Sequence, residues 1–145
     1  AQHIIKVALP VPLAGVFDYI CPPEMGQASR GTRVSAPFGR RQLVGIVTGT
    51  SRRSQVPPSR LLPVSAVLDE CKPLLNGELM GLLDWCCDYY KHPPGEVFAN
   101  AIPPVLRKAG GRLPLPEVQY RLTRSGQDRL DQPAGRAKQQ FALLQ

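Results

Sequence analysis

Val11-Pro12-Leu13-Ala14-Gly15-Val16-Phe17-Asp18-Tyr19, read with Ala36-Pro37-Phe38-Gly39-Arg40, decides the fold of this chain. In both stretches an apolar run meets a break. Pro10, Pro12 and Gly15 stop one extended segment, Phe17-Asp18-Tyr19 opens the next, and Phe38-Gly39 closes a third just before Arg40 and Arg41. Proline removes a ladder donor and glycine adopts backbone angles that other residues avoid, so these breaks mark strand ends and turns. On the N-terminal side, Ile4 to Leu9 reads as a strand. Val16 to Cys21 is a second, with Phe17, Tyr19 and Cys21 on one face and Asp18 and Ile20 on the other. Pro22 to Gly26 is a turn, Thr32 to Phe38 a third strand, and Gln42 to Ser51 a fourth whose interior glycines point to a bulge or a close backbone approach. After a polar, proline-bearing loop over 52–60, Leu61 to Leu68 is the fifth strand, assigned to an edge by Pro63. Short strands separated by Gly and Pro predict a small β-barrel or curled sheet.

At residue 76 the apolar period changes from 2 to 3.6. Asn76 is the expected N-cap of a helix whose apolar stripe is Leu79, Leu82, Leu83, Cys86 and Tyr90, with Trp85 assigned to packing. Pro93 stops this helix, and Pro94-Gly95-Glu96 opens a second that ends before Pro103-Pro104. The two helices read as an acidic structural cap on the sheet, giving a mainly β, α+β fold over residues 1–106. Residues 107–116 are basic, rich in Gly and Pro and without period, and read as a linker. Within 117–145 a short strand is expected over 118–123 and the first turns of a helix over 135–145. A chain that stops part-way into a helix reads as the beginning of a truncated second domain.

The 145 residues fit one domain or one and part of another, and 43% apolar residues suffice for a core. Sixteen prolines and 13 glycines favour short elements and many turns. No apolar run reaches membrane-spanning length, and the start lacks the pattern of a secretory signal. Cys21, Cys71, Cys86 and Cys87 have no metal-ligand spacing, so they read as reduced thiols of a cytoplasmic protein. Net charge is +7 and unevenly spread. Residues 1–68 carry eight basic side chains against two acidic, residues 69–100 two against six, and residues 101–145 eight against three. Two cationic segments around an acidic one favour a polyanionic partner. Thirteen of the 18 basic residues are arginine, whose planar fork suits phosphates. No phosphate loop, nucleophile elbow or zinc-protease motif is present, and His3 and His92 stand alone, so no catalytic and no metal-binding residue is assigned.

Asp18 is the chemically informative residue. A carboxylate between two aromatics in a cationic half suits hydrogen bonds from a base edge or a free hydroxyl rather than contact with phosphate. The residues alone leave open a DNA-binding module, a small-barrel RNA-binding module acting in translation, and a protein-interaction domain.

Val7-Ala8-Leu9-Pro10-Val11-Pro12-Leu13, Phe17-Asp18-Tyr19, Arg33-Val34-x-x-Pro37-Phe38-Gly39-Arg40, Gly45-Ile46-Val47, Val67-Leu68-Asp69 and Asp88-Tyr89-Tyr90 follow the order and spacing found at the N-terminus of the PriA family. This family, also called primosomal protein N′, comprises bacterial replication-restart DNA helicases. The resemblance covers residues 1 to about 106 and continues more weakly into the region where the family begins a winged-helix domain. It implies a 3′-DNA-binding domain that captures the 3′ end of the nascent leading strand at a stalled fork. The family's terminal-nucleotide pocket carries over to Phe17, Asp18, Tyr19 and Gly39. A family lysine falls at Leu62, with Arg60 nearby as a candidate substitute. Arg40, Arg41, Arg52, Arg53 and Arg60 are the candidate phosphate contacts. The resemblance further implies forked DNA with a 3′-OH end as the partner, and a nucleoid-associated setting in the bacterial cytoplasm. For an intact parent it implies 3′-to-5′ helicase activity, ATP, Mg and Zn as cofactors, and single-stranded-DNA-binding and primosome proteins as partners. The piece itself is expected to be monomeric, without cofactor or membrane contact and without enzyme activity.

Overall fold

The computed structural model describes residues 3–113, 121 and 123–130. The chain divides into two compact units, Ala1–Leu113 and Pro114–Gln145. The first holds five strands, β1 (Ile4–Ala8), β2 (Phe17–Ile20), β3 (Arg33–Phe38), β4 (Arg41–Ser51) and β5 (Ala66–Val67). They make one antiparallel sheet in the order β2-β1-β4-β3-β5. Two helices follow, α1 (Gly77–Tyr90) and α2 (Pro94–Asn100). The α+β class expected from the sequence is the class found.

The sheet is not a closed barrel. β2 and β5 are its edges, but the segment leading into β5 reaches from one to the other. Ile20 N–H donates to Leu62 O and Val64 N–H to Ile20 O, both at 3.0 Å. Ser65 N–H then donates to Ser35 O at 2.7 Å and Leu68 N–H to Arg33 O at 2.9 Å. Pro63 lies opposite Ile20, and the contact with β2 stays an isolated parallel bridge. The single strand expected over Leu61–Leu68 is therefore split, and Ala66–Val67 alone is β5.

Alternation along the strands builds two cores. Ile5, Val7, Tyr19, Cys21, Val34, Ala36 and Val47 pack on one side with Leu9, Ala28 and Val64. Ala8 and Ile46 face the other way, toward Met80 and Leu83 of α1, Phe98 of α2, and Leu75, Ile102 and Leu106. Phe17, Tyr19 and Cys21 thus share one face, as the alternation predicts. Gly45 sits on β4 beside the end of β1, and a Cβ there would meet Val7 Cγ1 at 2.6 Å and Ala8 O at 2.7 Å. Register slips between Lys6 and Val7, which pair with Gly49 and Val47, so β4 carries one extra residue, Thr48, at this point.

Asn76 caps α1, its Oδ1 accepting from Leu79 N–H at 2.9 Å. The buried residues of that helix are Met80 and Leu83, with Leu79 and Cys87 packed beside them. The expected stripe is therefore rotated, since Leu82 and Tyr90 are exposed. Trp85 does not pack into the core. It is 52% exposed and stacks on Tyr89, with ring centroids 4.8 Å apart.

Arg33, 2% exposed, ties the sheet to the segment after the helices. Its guanidinium donates to both Asp69 carboxylate oxygens at 2.6 Å, to Leu106 O at 2.5 Å and to Gly111 O at 3.2 Å. Asp69, Glu70 and Cys71 form a left-handed turn with φ of 57°, 54° and 62°. Holding L-residues there costs roughly 1–2 kcal/mol each, and the Arg33 pair fixes the first of them. In the second unit the described element is a short helix, α3 (Arg124–Leu130), with Gly126 N–H donating to Thr123 Oγ1 at 3.2 Å. The strand expected over 118–123, apart from residues 121 and 123, and the helix expected over 135–145 lie outside the described residues, as does the winged-helix assignment that rests on them.

Candidate nucleic-acid interface

A cleft of about 810 Å³ opens beside the edge strand β2. One wall is Val16, Phe17, Asp18 and Tyr19; the second is Pro37, Phe38 and Gly39 at the end of β3; the third is Arg53, Ser54, Gln55 and Val56 in the loop after β4. Lys6, Arg60 and Leu62 complete it. All four residues expected to read a strand end, Phe17, Asp18, Tyr19 and Gly39, therefore meet in one cavity.

Local chemistry explains the walls. Phe38 pairs with Arg41, which leaves Gly39-Arg40 as a two-residue hairpin loop. Gly39 has φ +57° and open space where a Cβ would stand. Glycine is needed there for the turn, and its lack of a side chain leaves the backbone open to the cleft. Tyr19 donates its hydroxyl to Pro37 O at 2.7 Å, locking β2 to the tip of β3. Burial pushes the Tyr19 phenol above its ordinary ionisation range. Phe17 meets Phe38 edge to face, with centroids 5.3 Å apart and planes at 71°.

Asp18 stands directly across from Lys6 in the β1–β2 register. Lys6 Nζ donates to Asp18 Oδ1 at 3.0 Å, and Ser54 Oγ donates to Asp18 Oδ2 at 2.5 Å. Ser54 Oγ also accepts from Val56 N–H at 2.9 Å, and Ser51 Oγ accepts from Arg53 N–H at 3.1 Å. Two serine turns thus shape the loop, and the Ser54–Asp18 bond docks it on the carboxylate. The cleft carries three cations, Lys6, Arg53 and Arg60, around one anion.

Of the candidate phosphate contacts, Arg53 and Arg60 line the cleft, whereas Arg40, Arg41 and Arg52 are exposed outside it. Leu62, at the position of the family lysine, lines it as an apolar residue 51% exposed. Sequence reasoning did not assign Lys6 or Ser54 to the site. Lys6 carried a usable signal, as the one charged residue inside an apolar strand, but its partner follows only from the strand register. Among the described residues no group of three or more His, Cys, Asp or Glu side chains is arranged to hold a metal ion, and no helix is long and apolar enough to cross a membrane.

Comparison with known proteins gives the family. Residues 6–103 match the family described as the 3′DNA-binding domain (3′BD) of PriA. Replication restart protein PriA of Haemophilus influenzae is 34% identical over 145 residues, covering 99% of this chain and 20% of that protein. The protein of the same name from Buchnera aphidicola, in the strain from Acyrthosiphon pisum, is 27% identical over 97% of this chain and 19% of its own length. The Bacillus subtilis protein is 37% identical over 50% of this chain and 9% of its own length. The chain thus spans about a fifth of the length of the first two relatives.

Proposed function

The chain belongs to the PriA 3′DNA-binding domain family, and from that premise we propose that its cleft holds the terminal nucleotide of a DNA strand at a free 3′ end. The family carries a DNA-binding role in replication restart. The reading of the end rests on one observation, the convergence of Phe17, Asp18, Tyr19 and Gly39 on a single cavity rimmed by cations. An end differs from an internal nucleotide by a free hydroxyl and a missing phosphate. Asp18 accepts hydrogen bonds from a base edge or that hydroxyl, using lone pairs that Lys6 and Ser54 leave free. Phe17 and Phe38 offer a base a sequence-tolerant face, worth about 1–3 kcal/mol per stacked base. The open backbone at Gly39 admits the sugar, and Arg53 and Arg60 at the mouth receive the phosphates that follow.

In this reading the DNA is a stalled fork presenting the 3′ end of the nascent leading strand, in the bacterial cytoplasm. The longer protein that carries such a domain is a 3′-to-5′ helicase using ATP and Mg, with Zn in a separate site, and works with single-stranded-DNA-binding and primosome proteins. Arg60 takes the place of a lysine at Leu62.

The test is competition between a linear single strand and a circular one of the same sequence. The linear strand should compete at least about tenfold better per molecule, a difference of ~1.4 kcal/mol. Asp18→Ala should remove most of that advantage while leaving binding of the circle nearly unchanged. Equal competition by circle and line in the unaltered protein would mean that the cleft does not read ends.

A further inference from the structure

The loop after β4 holds one arginine more tightly than its neighbours. Ser51 Oγ accepts from Arg53 N–H at 3.1 Å and donates to Arg53 O at 2.7 Å, so a single hydroxyl grips both polar groups of the Arg53 backbone. The next residue, Ser54, donates to Asp18 Oδ2 at 2.5 Å and accepts from Val56 N–H at 2.9 Å. Arg53 is thus fixed behind by Ser51 and ahead by the Asp18 carboxylate, while its exposed side chain lines the cleft. Arg52, one residue earlier, is exposed outside the cleft. Arg60 lines the cleft from a separate turn, Pro58–Arg60, and the described partners of Asp18 are Lys6 and Ser54 alone.

A nucleotide is a short and fairly rigid object. Its 3′ oxygen and the phosphodiester on its 5′ side hang on one sugar, so a group that holds the first fixes the region of the second. A cation one residue from the hydroxyl that binds Asp18 is placed for the last phosphodiester of the strand and not for those further in.

Resting on the end-binding reading above, we propose that Ser54 is a positioning residue that sets Arg53 on the last phosphodiester of the bound strand. Asp18 and Arg53 then read the terminal nucleotide together, the carboxylate at its free hydroxyl and the guanidinium at its 5′-side phosphate. The Ser54 hydroxyl holds the two at a fixed separation. Without it Arg53 keeps its charge but loses its place, and the phosphates along the strand become equivalent to it.

The experiment measures competitive binding to the full chain of single strands of one sequence, all ending in a 3′-hydroxyl. In one strand the last linkage is a neutral methylphosphonate; in another a linkage near the middle is. The unmodified strand and a circular one run alongside. The readout is the ratio of middle-linkage to last-linkage affinity, from which the general loss of one charge cancels. In the unaltered protein the last-linkage strand should bind about tenfold more weakly, the worth of one charge-assisted hydrogen bond. Arg53→Gln should shrink the ratio to within about twofold of unity. Ser54→Ala leaves every charge in place, yet should shrink it below about threefold, and Ser54→Thr, which restores a hydroxyl, should return it to within about twofold of the unaltered protein. Arg60→Gln should weaken both strands together and change the ratio by less than about twofold. A merely structural Ser54 would lower both affinities in step and leave the ratio alone.

A ratio in Ser54→Ala as large as in the unaltered protein overturns the positioning role. The same result in Arg53→Gln, or a ratio lost in Arg60→Gln instead, overturns the assignment of the last phosphate to Arg53. No difference between the two strands in the unaltered protein, with the circle still competing poorly, overturns the whole inference and leaves end recognition standing. A circle that competes as well as the linear strand removes end recognition and this inference with it. Should Ser54→Ala lose its cooperative melt, Ser54→Thr and Arg53→Gln decide. The proposal then stands if the first keeps the ratio and the second loses it, and falls otherwise.

Discussion

Tyr19 serves the core and the cleft with one side chain. Its ring packs among Ile5, Val7 and Val34, and its hydroxyl holds Pro37 O at 2.7 Å. Burial raises the phenol's ionisation above the ordinary 10.0, which fixes the sign of a pH effect. As pH climbs, the unfolded chain loses this proton first. The contribution of Tyr19 to stability is therefore complete below about pH 10 and is lost as pH rises through the higher folded value. Tyr19→Phe should cost about 1–2 kcal/mol at neutral pH, because Pro37 O loses its donor. It should also flatten part of the fall in stability, measured by urea unfolding, as pH rises above about 10; an unchanged fall would show that the phenol ionises alike in both states. At this scale the sequence was informative where a residue's chemistry is intrinsic. The carboxylate of Asp18, the ring of Phe17 and the turn glycine Gly39 announce themselves by type and position. Lys6 and Ser54 do not. Their roles depend on which residue faces them across a strand pair or a loop closure, and neither contact leaves a local pattern.

Among the elements, the strands were legible and the helix phase was not. Alternation places Phe17, Tyr19 and Cys21 correctly because a period of two leaves only two phases to choose between. Helix α1 reads Gly-Glu-Leu-Met-Gly-Leu-Leu-Asp-Trp-Cys-Cys-Asp-Tyr-Tyr, with apolar residues almost all round. Several phases therefore satisfy a period of 3.6, and docking on Ile46 and Phe98 selects the one that buries Met80 and Leu83. The corrected phase predicts a sharp contrast between two substitutions. Met80→Ala empties a fully buried position and should cost about 2–4 kcal/mol. Trp85→Ala, on the exposed side, should cost less than about 1 kcal/mol. Urea unfolding of both variants checks this, and equal losses would mean that Trp85 packs as firmly as Met80. The fifth strand was misjudged for a related reason. Pro63 signals an edge, but not that Leu62 and Val64 on its two sides both bond Ile20 of β2 while Ser65 and Leu68 bond β3.

At the level of the whole molecule, the charge layout is the feature that composition conveyed best. Residues 1–68 are strongly basic and residues 69–100 acidic, and both helices α1 and α2 fall in the acidic stretch. The cations near the cleft should release counterions when phosphates replace them. If three to five of Arg40, Arg41, Arg52, Arg53 and Arg60 engage single-stranded DNA, log affinity should fall against log salt with a slope of roughly −2 to −3.5. Removing Arg52 and Arg53 together, where both engage phosphate, should make that slope shallower by about 1.4. A slope near zero in titrations across salt would remove phosphate contact from the account. Arg33 bears on what happens after DNA is held. Strand β3 begins at this residue and ends beside Gly39, the turn that forms one wall of the cleft. At its far end the guanidinium grips Leu106 and Gly111, close to the point where the chain leaves the first unit. Tension applied at that wall would thus run along about 20 Å of extended backbone and reach the outgoing chain through the Arg33 hydrogen bonds, beside the core packing of Leu106. The six residues of β3 form a tie-rod, with neighbours on both sides loading it in shear, the direction in which a hydrogen-bonded ladder must break all its rungs at once.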